Sequence, residues 1–97
     1  MNIMLVCNGG VSTNMIVKKM KEAAQQKSEE HVIWAIASDQ VKKNVQEKHP
    51  DVILLGPQIA YLKDKVKEDA QDPNIKIAVI GFSDYGMCNG AAVLETA

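Results

Sequence analysis

Ninety-seven residues, 46% of them hydrophobic and 24% charged, suffice for one compact core and are too few for a second. Eleven basic residues, all of them lysine, stand against twelve acidic ones, and a net charge of −1 gives neither nucleic acid nor an anionic membrane a handle. The longest apolar runs are about six residues, far short of the ~20 that a membrane helix needs. No basic stretch, long apolar core or small-residue cleavage site follows Met1-Asn2, so no signal peptide is expected. Two cysteines without framework spacing fit a reducing cytoplasm. The chain contains no arginine, and that absence bears on the chemistry below.

In chain order, apolar runs at 3–6, 32–37, 52–55 and 75–80 are rich in Val and Ile and lack in–out alternation. Strands read this way when helices cover both faces of a parallel sheet. After the first run, Ile16, Met20, Ala23 and Ala24 recur at helical spacing, with Lys18, Lys21, Glu22 and Gln25 turned outward. The segment 39–48 carries a shorter stripe, Val41 and Val45. A third helix is expected from Ile59, Leu62, Val66 and Ala70, and a fourth from Met87, Ala91 and Leu94. Helix starts are offered by Ser12 or Thr13, by Ser38 or Asp39, by Pro57 in a first turn, and by Ser83 or Asp84.

The pattern is βαβαβαβα: one three-layer, doubly wound α/β domain over 1–97. Right-handed crossovers make 2-1-3-4 the expected order of a four-stranded parallel sheet with helices on both faces. Ligands of such folds bind at the crevice beyond the C-terminal ends of the central strands. Cys7 follows the first strand and Gly56-Pro57-Gln58 follows the third, which sets a thiol at that crevice.

Cys7-Asn8-Gly9-Gly10-Val11-Ser12-Thr13 leads into the first helix. Two glycines let successive N–H groups turn toward one point, and the helix start adds unpaired donors and a positive dipole end. The segment reads as an anion cradle formed by Asn8, Gly9, Gly10, Val11, Ser12 and Thr13, in a field that favours the nucleophilic thiolate. The plain alternative is that a cysteine ending a buried strand is only a small core residue. A cysteine phosphatase with such a loop closes it with an arginine that grips phosphate and stabilises the transition state. Thr13 occupies that position here. A loop that accepts phosphate but is ill equipped to hydrolyse it suits a carrier. A receiver domain is disfavoured because Asp51 begins the third strand rather than ending it. A nucleotide P-loop is disfavoured because Gly10-Val11-Ser12 is not Gly-Lys-Ser/Thr. A flavin site has only one Trp, two Tyr and one Phe to draw on.

His31 and His49 precede the second and third strands, at the far end of the sheet from Cys7. A five-residue strand spans ~17 Å, so neither histidine serves as its base and no metal site assembles. Cys88 is placed early in the last helix, at the functional end, as a packing residue.

Three segments are similar to one family, the enzyme IIB component of the lactose/cellobiose (chitobiose) class of the bacterial phosphoenolpyruvate-dependent sugar phosphotransferase system. They are the 7–13 loop, the run Leu54-Leu55-Gly56-Pro57-Gln58-Ile59-Ala60-Tyr61, and Asp84-Tyr85-Gly86 followed by Gly90. Val11 replaces the usual methionine and Asn14 the usual serine. The resemblance implies that Cys7 takes phosphate from a phosphohistidine of enzyme IIA and passes it to a cellobiose-, chitobiose- or lactose-like sugar held by membrane enzyme IIC. Asn14, Gln58 and Tyr61 are assigned to the crevice or partner surface. A cytoplasmic monomer is expected, with no cofactor, metal, nucleic acid or membrane insertion. The alternatives are a low-molecular-weight cysteine phosphatase or thiol reductase on the same scaffold, and a redox or small-anion sensor that would use Cys88.

Overall fold

The computed structural model describes residues 1–7 and 11–97, the side chains of residues 11–13 excepted. Strands and helices alternate as far as β4, which two helices follow. They run β1 (Asn2–Cys7), α1 (Val11–Gln26), β2 (Val32–Ala37), α2 (Val41–Lys48), β3 (Val52–Leu55), α3 (Lys63–Ala70), β4 (Lys76–Val79), α4 (Phe82–Gly86) and α5 (Gly90–Thr96). Short 3-10 segments, Ser38–Gln40 and Pro57–Leu62, lead into α2 and α3. The strands form one parallel sheet in the order β2-β1-β3-β4, as the crossover argument requires.

The two central strands are buried on both faces, which explains their unbroken apolar runs. Side chains alternate across the sheet. Ile3 and Leu5 of β1, with Val52 and Leu54 of β3, meet Ile16, Met20, Ala24 and Val93 on the α1/α5 side. Met4, Val6, Ile53 and Leu55 meet Val41, Val45, Ile59, Val66 and Ala70 on the α2/α3 side. At the edge, β2 has only Ile33 fully buried, and Lys48 of α2 lays its ammonium 5.2 Å from the Trp34 ring centroid.

The expected helical stripes of α1, α2 and α3 are the buried ones, with Leu62 half-buried. The last helix differs. The chain forms two short helices, and the stripe Met87, Ala91, Leu94 fails: Met87 is 76% exposed and Ala91 lies on the surface. Between them Cys88 takes a left-handed φ of 51°. The Asn89 side chain accepts a hydrogen bond from the Ala92 N–H at 3.3 Å and caps α5. The buried face becomes Gly90, Val93 and Leu94. Gly90 explains why the break pays off in packing. A Cβ there would stand 2.3 Å from the carbonyl carbon of Lys19 and 2.5 Å from the Met20 nitrogen, so only glycine lets α5 close onto α1.

Of the expected helix starts, Pro57 opens its segment as expected. The others shift by a residue or more. α1 begins at Val11 and α4 at Phe82, and the residues preceding Ser38–Gln40 and α4 make no side-chain cap bond.

Candidate functional site

Cys7 is the last residue of β1 rather than the first residue after it, paired in register with Ala37 of β2. The central strand therefore delivers the thiol to the C-terminal edge of the sheet, where the chain leaves β1 and β3 for opposite faces. The residue is 7% exposed, and its thiol donates to the Ile36 carbonyl oxygen at 3.6 Å. α1 begins four residues later, and no acidic side chain in its first turn offsets the dipole at that end. Asn8, Gly9 and Gly10 lie outside the described residues, as do the side chains of Val11, Ser12 and Thr13. The cradle expected there is thus represented in the structure by Cys7 on one side and the start of α1 on the other.

Across the crevice, Gly56 donates its N–H to the Val6 carbonyl at 2.9 Å and so abuts the last peptide before Cys7. Gln58 is exposed, with Oε1 only 3.3 Å from where a Gly56 Cβ would lie. Tyr61, 79% exposed, and the exposed Asn14, near the start of α1, rise from the same end of the sheet. The structure thus brings Cys7, Gln58, Tyr61 and Asn14 to one rim.

One neighbour escaped the sequence reading as a site residue. The Tyr85 ring, on α4 after β4, reaches 3.5 Å from the same Gly56 Cβ position. The available signal was an aromatic in the first turn after the last strand, at the same sheet end as Cys7.

His31 and His49 stand at the opposite end, where His31 Nε2 lies 3.5 Å from Glu29 Oε1 and His49 closes α2 with φ 49°. A depression of ≈ 460 Å³ near His31, lined by Asn2, Lys21 and Glu30 among others, is equally remote from the thiol. Cys88 lies in the joint between α4 and α5 rather than early in a single last helix. It lines a depression with Lys19, Glu22 and Ala23, and Lys19 is about 12 Å along α1 from its start. Neither cysteine is in a disulfide. Among the described residues, no three His, Cys, Asp or Glu side chains gather as a metal-ligand set. No described helix is long and apolar enough to cross a membrane.

A buried thiol at the switch point of a parallel sheet, with a helix N-terminus four residues on, defines a class of small α/β proteins suited to holding an anion near sulfur. Within that class the chain matches over residues 2–96 the family model for "PTS system, Lactose/Cellobiose specific IIB subunit", and it belongs to that family. It is 40% identical over 95 residues to the oligo-beta-mannoside-specific EIIB component of Bacillus subtilis (strain 168), covering 98% of this chain and 90% of that protein. It is 37% identical over 98 residues to the galactose-specific EIIB component of Lactococcus lactis subsp. cremoris (strain MG1363), covering 98% and 91%. Among solved structures, the cellobiose-specific IIB component of Borrelia burgdorferi superposes with a TM-score of 0.79 at 38% identity, covering 100% and 87%. The lactose-specific IIB domain of Streptococcus pneumoniae shares the fold with a TM-score of 0.84 at 17% identity, covering 99% and 92%. The chain is a phosphotransferase component of this system.

Proposed function

We propose that Cys7 is the phosphoryl-carrying nucleophile of a cytoplasmic IIB component, fed by enzyme IIA and discharged to a sugar at membrane enzyme IIC. The observation that carries this reading is the position of Cys7 at the end of the central strand, four residues before α1 begins. In the first step the thiolate attacks phosphorus of a phosphohistidine on IIA. The N–P bond breaks and its electron pair stays on the imidazole. In the second, a sugar hydroxyl attacks the same phosphorus, loses its proton, and the S–P pair returns to Sγ.

The N–H groups of residues 8–13 and the dipole of α1 would stabilise the phosphoryl oxygens, with the hydroxyls of Ser12 and Thr13 assisting. A chain without arginine lacks the guanidinium that would turn the loop toward hydrolysis. Asn14, Gln58 and Tyr61 then form the rim on which the partners seat. The sugar is of the cellobiose, chitobiose or lactose kind. Relatives of near-equal identity are named for oligo-beta-mannoside, galactose and cellobiose, which fits a carrier whose sugar choice is made chiefly by IIC.

The test is sugar phosphorylation from phosphoenolpyruvate, with the two general phosphotransfer proteins, a matching IIA and membranes bearing IIC. Wild-type protein should support turnover and Cys7→Ser should not. Serine keeps a donor for the Ile36 carbonyl, so the variant should fold with little loss of stability, on the order of 1 kcal/mol. A well-folded Cys7→Ser protein with normal turnover would remove the reading.

A further inference from the structure

Gly56 has φ −59°, a value open to any residue, so its backbone does not require glycine, and its missing side chain leaves room that three neighbours line. A Cβ would stand 3.3 Å from Gln58 Oε1, 3.5 Å from Tyr85 Cε2 and 3.7 Å from the Val6 carbonyl oxygen. The ring edge of Tyr85 therefore lies over the end of β3, beside Gly56, whose N–H meets the carbonyl of the peptide that leads into Cys7.

The face of the sheet matters as much as the end. Tyr85 packs on the cluster that contains Ile3, Leu5 and α1. Cys7 follows Ile3 and Leu5 in the alternation of β1, so its side chain leaves the sheet on that same face. Neighbouring strands lie about 4.8 Å apart, so Cys7 stands one strand spacing from Gly56, and the Tyr85 ring reaches 3.5 Å from the Gly56 Cβ position. Tyr85 is half-buried and anchored, unlike the aromatic Tyr61 and Phe82, 79% and 73% exposed at the same rim.

We propose that Tyr85 shields the phosphoryl group on Cys7 from water. This rests on the phosphocysteine reading. A carrier faces a competition at phosphorus. Water can add there, breaking the S–P bond with its electron pair returning to Sγ, losing a proton and releasing inorganic phosphate. A sugar hydroxyl must be able to do the same productively. Lack of arginine removes one aid to hydrolysis, and an aromatic edge over the flank of the site removes another by excluding the attacking water.

The experiment compares wild type, Tyr85→Ala and Tyr85→Phe. Each is phosphorylated by the phosphoenolpyruvate relay through a matching IIA and separated from the donors. Inorganic phosphate release is followed by phosphorus NMR, and the thermal midpoint is recorded alongside. Tyr85→Ala should lose phosphate about tenfold faster than wild type, and Tyr85→Phe within about twofold of it. Where truncation to Ala costs too much stability, Tyr85→Leu gives the same comparison with a bulkier side chain and should fall between. An unchanged release rate in a folded Tyr85→Ala overturns the proposal. So does a Tyr85→Phe as fast as Ala, because the role then belongs to the hydroxyl. If wild type itself takes no phosphate, the phosphocysteine reading fails, and the shield with it.

Discussion

Cys7 and Cys88 show how two residues of one type acquire different work from their surroundings. Cys7 ends a strand buried on both faces, at the sheet edge where the helix dipole of α1 begins. Cys88 sits in the joint between α4 and α5, with a left-handed backbone, beside Lys19 and Ala23. The ammonium of its neighbour Lys19 is paired with Glu22 at 3.7 Å. Cys88→Ala should therefore accept phosphate from IIA at a rate within a few-fold of wild type. Loss of transfer with an unchanged circular dichroism spectrum would give Cys88 a chemical role. At this scale the sequence identified the thiol at the crevice from its place after an apolar run. It did not single out Tyr85, because the approach of its ring to Gly56 depends on the angle at which α4 leaves β4. Chain order does not encode that angle. The placement of Cys88 failed for a related reason: a left-handed residue before a capping asparagine has no periodic signature.

Among the elements, the strands were legible because the physics is local and one-dimensional. A segment covered on both sides must be apolar at every position, and β1 from Ile3 onward and β3 are. The helices α1 and α3 were legible through stripes long enough to exceed noise. The final segment was not. Its apolar residues also satisfy a helical period across a break, and only the packing decides. Gly90 is the deciding residue, since α5 lies so close to α1 that a methyl group would overlap the Lys19 backbone. Gly90→Ala gains helix propensity, worth about 1 kcal/mol at most, and must push the two helices apart. Overpacking of this kind costs about 1–3 kcal/mol, and a backbone obstacle cannot rotate away, so the net effect should be destabilising. Urea unfolding should show a lower midpoint with an unchanged slope. A midpoint equal to or above that of wild type would mean that α5 is not held against α1 as described.

At the scale of the molecule, the order β2-β1-β3-β4 turns a linear pattern into a site. It sets β1 and β3 side by side, sends their following helices to opposite faces, and gathers Cys7, Gln58, Tyr61 and Tyr85 at one end while both histidines go to the other. The rim around the thiol carries the exposed apolar side chains Met15, Tyr61 and Phe82, which suits a surface that must meet two protein partners in turn. A carrier so built should take up one phosphoryl group and keep it. The most direct measurement is a single-turnover transfer: phosphorylated IIA is mixed with excess wild-type protein, and the phosphoryl group is located by peptide mapping under conditions that preserve S–P bonds. The account predicts stoichiometric label on Cys7, no label on Cys88, His31 or His49, and label retained long after transfer is complete. Label on any other residue, or rapid release of inorganic phosphate from the wild-type protein, would contradict it.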